Sequence, residues 1–358
     1  DGASDHAQTL DLTAGTGNID FDAAVGGTFD LGIVTIVSAT NVAADAAFSA
    51  QAINQTAGSG TTTFTGAVQT LGTLATDGLD LNGTNFTISN TVNTGTAGEV
   101  KITNATLLSI AAAGDMTLGG QFLQDGGGTV STAGDITTTN DNINFLRAVT
   151  LTGATALDTG AGAGTITFQS TLNGTTDFIE TLGLTAGTGN IDFDGVVGGT
   201  IDLGNVTINS ATDVTADFAF NANTITQSAG TGDTQFDGLV TLNAVGGMAL
   251  TTSTVTLNGA INTLNGGTVT ITNGGLLSIA AAGDMSLDGA FTQNGAGLVS
   301  TAGDITTTND NINFLRAVTL TGATALDTGA GAGTITFQST LDGASDHAQT
   351  LDLTAGTG

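Results

Sequence analysis

The stretch from Ser131 to Leu172, reading STAGDITTTNDNINFLRAVTLTGATALDTGAGAGTITFQSTL, recurs unchanged as Ser300 to Leu341. Residues Asp1 to Gly17 return letter for letter as Asp342 to Gly358, and the segment from Asn173 to Gly189 is a diverged copy at the same phase. A chain that repeats itself this closely solves one packing problem many times over, which narrows its fold to stacked or strung units. The repetition marks out a unit A at 1–172, a unit B at 173–341 and the start of a further unit A at 342–358. They are expected to be parts of one continuous array without independent domains, cut from something longer.

The units align with little slippage. Phe21 matches Phe193 and Phe64 matches Phe236 at one offset, while Leu107 matches Leu276 at an offset three residues shorter. The extra residues of unit A therefore lie between Phe64 and Leu107, where the copies also differ most. A loop that tolerates insertion behaves this way.

A shorter period runs beneath the long one. Ile143, Phe145, Val149, Leu151, Ile166 and Phe168 sit in short alternating apolar segments, and clusters of Gly, Asp, Asn and Thr between them read as turns. Phe145, Phe168 and Phe193 recur at spacings of 23 and 25 residues, and dividing a unit into eight coils gives roughly 21 residues each, within the range at which one supersecondary unit stacks on the next. About eight such coils fill a unit, each with two or three strands of about four to six residues. Stacked at about 4.8 Å, the coils place Phe, Ile, Val and Leu in internal ladders. The fold class is thus all-β, a parallel β-helix or β-solenoid of tandem repeats.

Composition agrees. Pro is absent, as suits interior strands that must donate N–H groups to a neighbour, and 55 Gly residues supply corner conformations. Helix-favouring charged residues are scarce, while hydrophobic residues at 39% are enough for a thin core. A string of immunoglobulin-like sandwiches is the competing architecture. The short period and the lack of Trp, Tyr and Pro weigh against it.

The net charge of −29 sets 32 acids against Lys101, Arg147 and Arg316. Three cations cannot neutralise a phosphate backbone, so nucleic acid is excluded as a partner, and an anionic membrane surface is disfavoured. No apolar stretch is long enough to span a bilayer, and any secretion signal is expected outside this segment. Cys is absent, so thiolate metal sites are excluded as well.

Nearly all the acids are Asp, a turn former whose carboxylate bonds nearby backbone N–H groups, and solvated turns are the plain expectation for them. A second expectation is that stacked carboxylates hold Ca²⁺, the one cofactor this composition suggests, with Asp20, Asp22, Asp192 and Asp194 as the metal candidates. His6 and His347 occupy one repeat position, which is Phe178 in the intervening copy, so packing at a coil edge is expected rather than acid–base work. Arg147 and Arg316 lie in the identical block and are expected to pair with an Asp of a neighbouring coil. No non-repeated cluster of carboxylates with a basic group is present, and the chain is expected not to be an enzyme.

The blocks GDITTTNDNINFLRAVTLTGA and LTAGTGNIDFDGVVGGTIDL resemble the repeat regions of giant bacterial surface exoproteins and adhesins of the filamentous haemagglutinin-like type. The resemblance covers nearly the whole chain. It implies a right-handed parallel β-helix shaft, secreted to the extracellular space or the bacterial cell surface, acting as a stalk, filament or adhesin. It carries over no functional residue. The expected partners are neighbouring repeats, other copies in a filament, or a host or partner cell surface. The alternative function is a surface module that recognises glycan along one solenoid face, with Gln69 to Val100 as the place to look.

Overall fold

The computed structural model describes residues 1–358 and contains strands and turns but no helix. The strands form parallel ladders with about 22 residues per turn and about 15 turns in all. The sandwich alternative is therefore excluded. The chain divides into two compact units, one of residues 1–175 with 185–189, the other of 176–184 with 190–358.

In the later turns of the first unit each turn has three strands. Met116–Leu118, Phe122–Gln124 and Thr129–Thr132 pair in parallel with Ile136–Thr138, Ile143–Phe145 and Val149–Leu151 one turn on. These strands are shorter than the sequence leads one to expect. Three residues suffice because alternation then places two side chains inside and one outside, as in Ile143, Asn144 and Phe145. The next residues turn a corner.

Some corners are turned without breaking the strand. Val100–Ile110 pairs through Val100–Ile102 with Phe122–Gln124 and through Leu107–Ile110 with Thr129–Thr132, so one strand feeds two of the following turn. Phe220–Gln227 does the same in the second unit, pairing with Val240–Leu242 and Met248–Thr252.

Register places like over like. Ile143 lies beside Ile166 and Phe145 beside Phe168. The rings of Phe122, Phe145 and Phe168 follow one another at 5.2 and 5.4 Å between centroids. Each fully buried side chain of this size contributes about 1.5–3 kcal/mol, so the ladder adds to the cohesion that backbone hydrogen bonds give between turns. Thr, Asn and Gln close the core at the corners. Gln124 Nε2 donates to Asn104 Oδ1 at 2.7 Å and to the Gly128 carbonyl, and Asn104 Nδ2 donates to the Thr129 carbonyl. Gln293 and Asn273 repeat the arrangement in the second unit. These amides occupy acceptors that the corner would otherwise leave buried and unpaired.

The extra residues of the first copy fall between two strands. Val68–Thr70 is joined to Leu79 by residues 71–78, whereas Val240–Leu242 is joined to Met248 by residues 243–247, three fewer. The longer loop passes against the next turn at Gly72, where φ is +61° and an added Cβ would lie 1.4 Å from the Thr94 carbonyl oxygen. Only glycine fits there.

Candidate functional site

Acids at repeated positions do stack, and the structure shows what several of them bind. The Asp115 carboxylate accepts the backbone N–H of Asp135 at 2.9 Å, and Asp135 in turn accepts that of Ala156 at 2.7 Å. Asp284, Asp304 and Ala325 form the same chain of contacts in the second unit. Asp5 and Asp177 each accept the N–H of the Asp one turn on, Asp30 and Asp202. Asn does likewise, with Asn18 accepting from Asn41 and Asn41 from Thr61. At a corner the backbone leaves the ladder and its N–H loses a strand partner. A short side chain with an oxygen at that corner of the preceding turn replaces it.

The metal candidates are two repeat-equivalent pairs, one in each unit. Asp20 and Asp22 are exposed, and Asp20 lies beside Ala43 in the ladder. Asp192 is half-buried beside Thr215, whose hydroxyl donates to its Oδ1 at 3.0 Å, and Asp194 is exposed two residues on. No three acidic or histidine side chains are gathered as ligands for one ion. Burial, with the carboxylates of Asp217 and Asp213 added, pushes the Asp192 carboxyl above its ordinary value against the hydrogen bond from Thr215. Burial, then Asp192 and Asp217, raises Asp194, and burial with Asp177 raises Asp202.

His6 and His347 have φ of +58° and Phe178 has +64°, so this repeat position is a left-handed turn in all three copies. His6 Nε2 lies 3.4 Å from Asp30 Oδ2. Backbone shape is what the copies share, since the side chain changes from imidazole to phenyl. Arg147 and Arg316 make no pair with an Asp. Each donates Nη1 to the carbonyl of the residue before it, Leu146 or Leu315, and stays exposed. An exposed guanidinium gains little from a distant carboxylate, and the nearest acceptor satisfies it.

The variable segment of the first unit carries a buried acid and borders two grooves. Asp77 is buried in the long loop and accepts Thr73 Oγ1 at 2.6 Å, the Leu74 N–H at 3.0 Å and Gln51 Nε2 at 3.1 Å. Burial alone would raise its pKa, yet these hydrogen bonds prevail and hold it below the ordinary value. Beside the loop run two shallow grooves of about 120 and about 250 Å³ that share Asp80 and Lys101. Lys101 Nζ lies 3.6 Å from Asp125 Oδ2, and Thr103 donates its hydroxyl to the same carboxylate. Lys101 stands where the second copy has Thr270. Neither it nor Asp77 stands out by motif in the sequence. The signal for both is the mismatch in length between copies.

Fold and surface together define a class, a tandem-repeat protein built on a parallel β-solenoid. No protein-family model, no curated protein and no solved structure matches the chain.

Proposed function

We propose that the chain is a structural segment of an extracellular or bacterial cell-surface protein, a non-catalytic stalk, fibre or adhesin shaft of the filamentous haemagglutinin-like type. One observation carries this reading. The polar side chains that repeat from copy to copy, such as Asp115, Asp135, Gln124 and Asn104, are bound to the backbone or amide of an adjacent turn, and they serve the stacking of turns rather than a substrate. Each added turn then extends the array through nearest-neighbour contacts without a new core. Pulling single molecules by their termini tests the mechanical role. Release in steps of one turn, about 70 Å of chain at roughly 3.3 Å per residue, is expected. A single rupture freeing a whole unit overturns it. Labelling intact source cells with antibody against the purified chain tests the location, and staining only after permeabilisation overturns that.

A second reading is favoured by the paired grooves around Asp80 and Lys101. Both border the segment that differs between copies, and the larger is mainly polar and offers Asn54, Asn82 and Thr103 as hydrogen-bonding groups to a glycan. Binding on a glycan array that is abolished by Lys101→Ala and Asp80→Ala supports it. Unchanged binding of the double variant sinks it.

A further inference from the structure

The second unit carries an exposed apolar feature that the first unit lacks. Phe218 is 53% exposed and Leu239 is 43% exposed. The bridge from Val197 to Phe220 and the pairing of Phe220 with Val240 put Val196, Ala219 and Leu239 at one corner of three successive turns. Phe218 sits next to that column, with Gly238 packed against its backbone on the following turn, so no side chain stacks on its ring there. In the first unit the positions of Val196, Phe218 and Leu239 are Ala24, Ala46 and Ala67. The backbone is the same at both places. Only the second presents large apolar side chains to solvent.

Charge changes at the same corner. Asp194, Asp217 and Asp237 follow one another on the turns flanking the apolar column, as the bonds from Asp217 N to Phe193 O and Asp237 N to Ala216 O fix. Asp192, Asp213 and Asp233 lie on the adjoining strands and loops. The first unit keeps Asp20, Asp22 and Asp45 but has Asn41, Thr61 and Thr65 for Asp213, Asp233 and Asp237. The added carboxylates have only neutral companions. Asp237 accepts from Asn258 and Gln235, and Asp233 from Thr254 and Thr256. No cation of the chain pairs with any of them.

We propose that this corner is a docking surface for a basic, apolar segment of another protein, with Phe218 and Leu239 as anchors and the surrounding carboxylates receiving Lys or Arg side chains. Apolar side chains ringed by unmatched charge of one sign fit a partner that brings apolar groups and the opposite charge together. A second copy of the chain is poorly suited to the role, because Lys101, Arg147 and Arg316 are its only lysine and arginine residues. Burial first, and then neighbouring carboxylates, disfavours charge on Asp192 and Asp194, and cationic side chains of a partner would offset the second effect.

The test uses the full chain and two labelled synthetic peptides, one alternating Lys with Phe and one alternating Lys with Ser, read by fluorescence anisotropy at low and high salt. The Lys–Phe peptide is expected to bind more tightly. Phe218→Ala with Leu239→Ala should weaken it by about tenfold or more, and Asp217→Asn with Asp237→Asn should weaken it and flatten its salt dependence. Grafting Ala46→Phe, Ala67→Leu and Thr65→Asp onto the first unit should add a second site. All of these positions face solvent at least in part, and an unchanged melting curve verifies that each variant folds. Equal binding of the two peptides, indifference to the Phe218 and Leu239 substitutions, or no binding of either peptide overturns the proposal.

Discussion

The duplicated block offers one substitution in two nearly identical settings. Phe145 is buried with its ring between Phe122, at 5.2 Å and 50°, and Phe168, at 5.4 Å and 8°. Phe314 sits between Phe291, at 5.2 Å and 51°, and Phe337, at 5.4 Å and 7°. Truncating a buried Phe to Ala costs about 3–5 kcal/mol. Two ring partners, worth roughly 0.5–1.5 kcal/mol each beyond area, place Phe145→Ala in the upper part of that range. Phe314→Ala removes the matching pair of ring contacts and should cost a similar amount. Native-state hydrogen exchange reads the effect locally, which suits an array whose turns couple mainly to their neighbours. The amides of Ile143 and Gln169, which donate to Thr165 O and Phe145 O, should exchange about a thousandfold faster in Phe145→Ala, at about 1.4 kcal/mol per tenfold. The protection of the first turns should stay unchanged. An acceleration below tenfold, or one spread evenly over the chain, would refute the reasoning that stacked rings hold adjacent turns together.

Asp192, Asp194 and Asp202 titrate above the 3.8 of an unperturbed aspartate, so folding opposes their ionised forms and stability should rise as pH falls from neutral through their folded pKa values toward 3.8. Asp77 acts in the opposite sense, stabilising above 3.8 and losing that contribution as pH falls below it; urea melts should therefore show a maximum on the acidic side of neutrality, and a steady decline from pH 7 downward would contradict this. Asp77→Ala removes three acceptor contacts at once and should cost about 1–3 kcal/mol, with new proteolytic cleavage within residues 71–78. Ca²⁺ and Mg²⁺ at equal ionic strength should raise the melting temperature equally, as screening of a net charge of −29 requires, and a rise specific to Ca²⁺ would assign it a site.

The alternation of Ile143, Phe145, Val149 and Leu151 makes inward and outward faces readable from the letters, because a period of two admits one arrangement when one face is buried. Strand length is not readable in this way. Asn104 looks like a turn residue, yet it is fully buried within the strand Val100–Ile110, since its amide is bonded by Gln124 from the next turn. A partner about twenty residues away leaves no local trace. The same limit applies to the acids. Sequence shows that Asp115 and Asp135 repeat, but only register shows that one receives the backbone of the other. The docking corner is a comparison between copies, visible in the letters as Ala46 against Phe218, but given meaning by exposure.

The identical block is nearly two turns long, and that length has a genetic consequence. A residue near its middle, such as Leu151 or Leu320, has the partners of its own turn and of the turns before and after drawn mostly from within the block. Misalignment of the two copies during replication would join the first half of one to the second half of the other, and the joined chain would meet no unfamiliar neighbour in sequence or in space. Whole units could then be lost or gained without a defective junction. Length would be the trait that varies most freely in such a lineage, with the fold of each turn untouched.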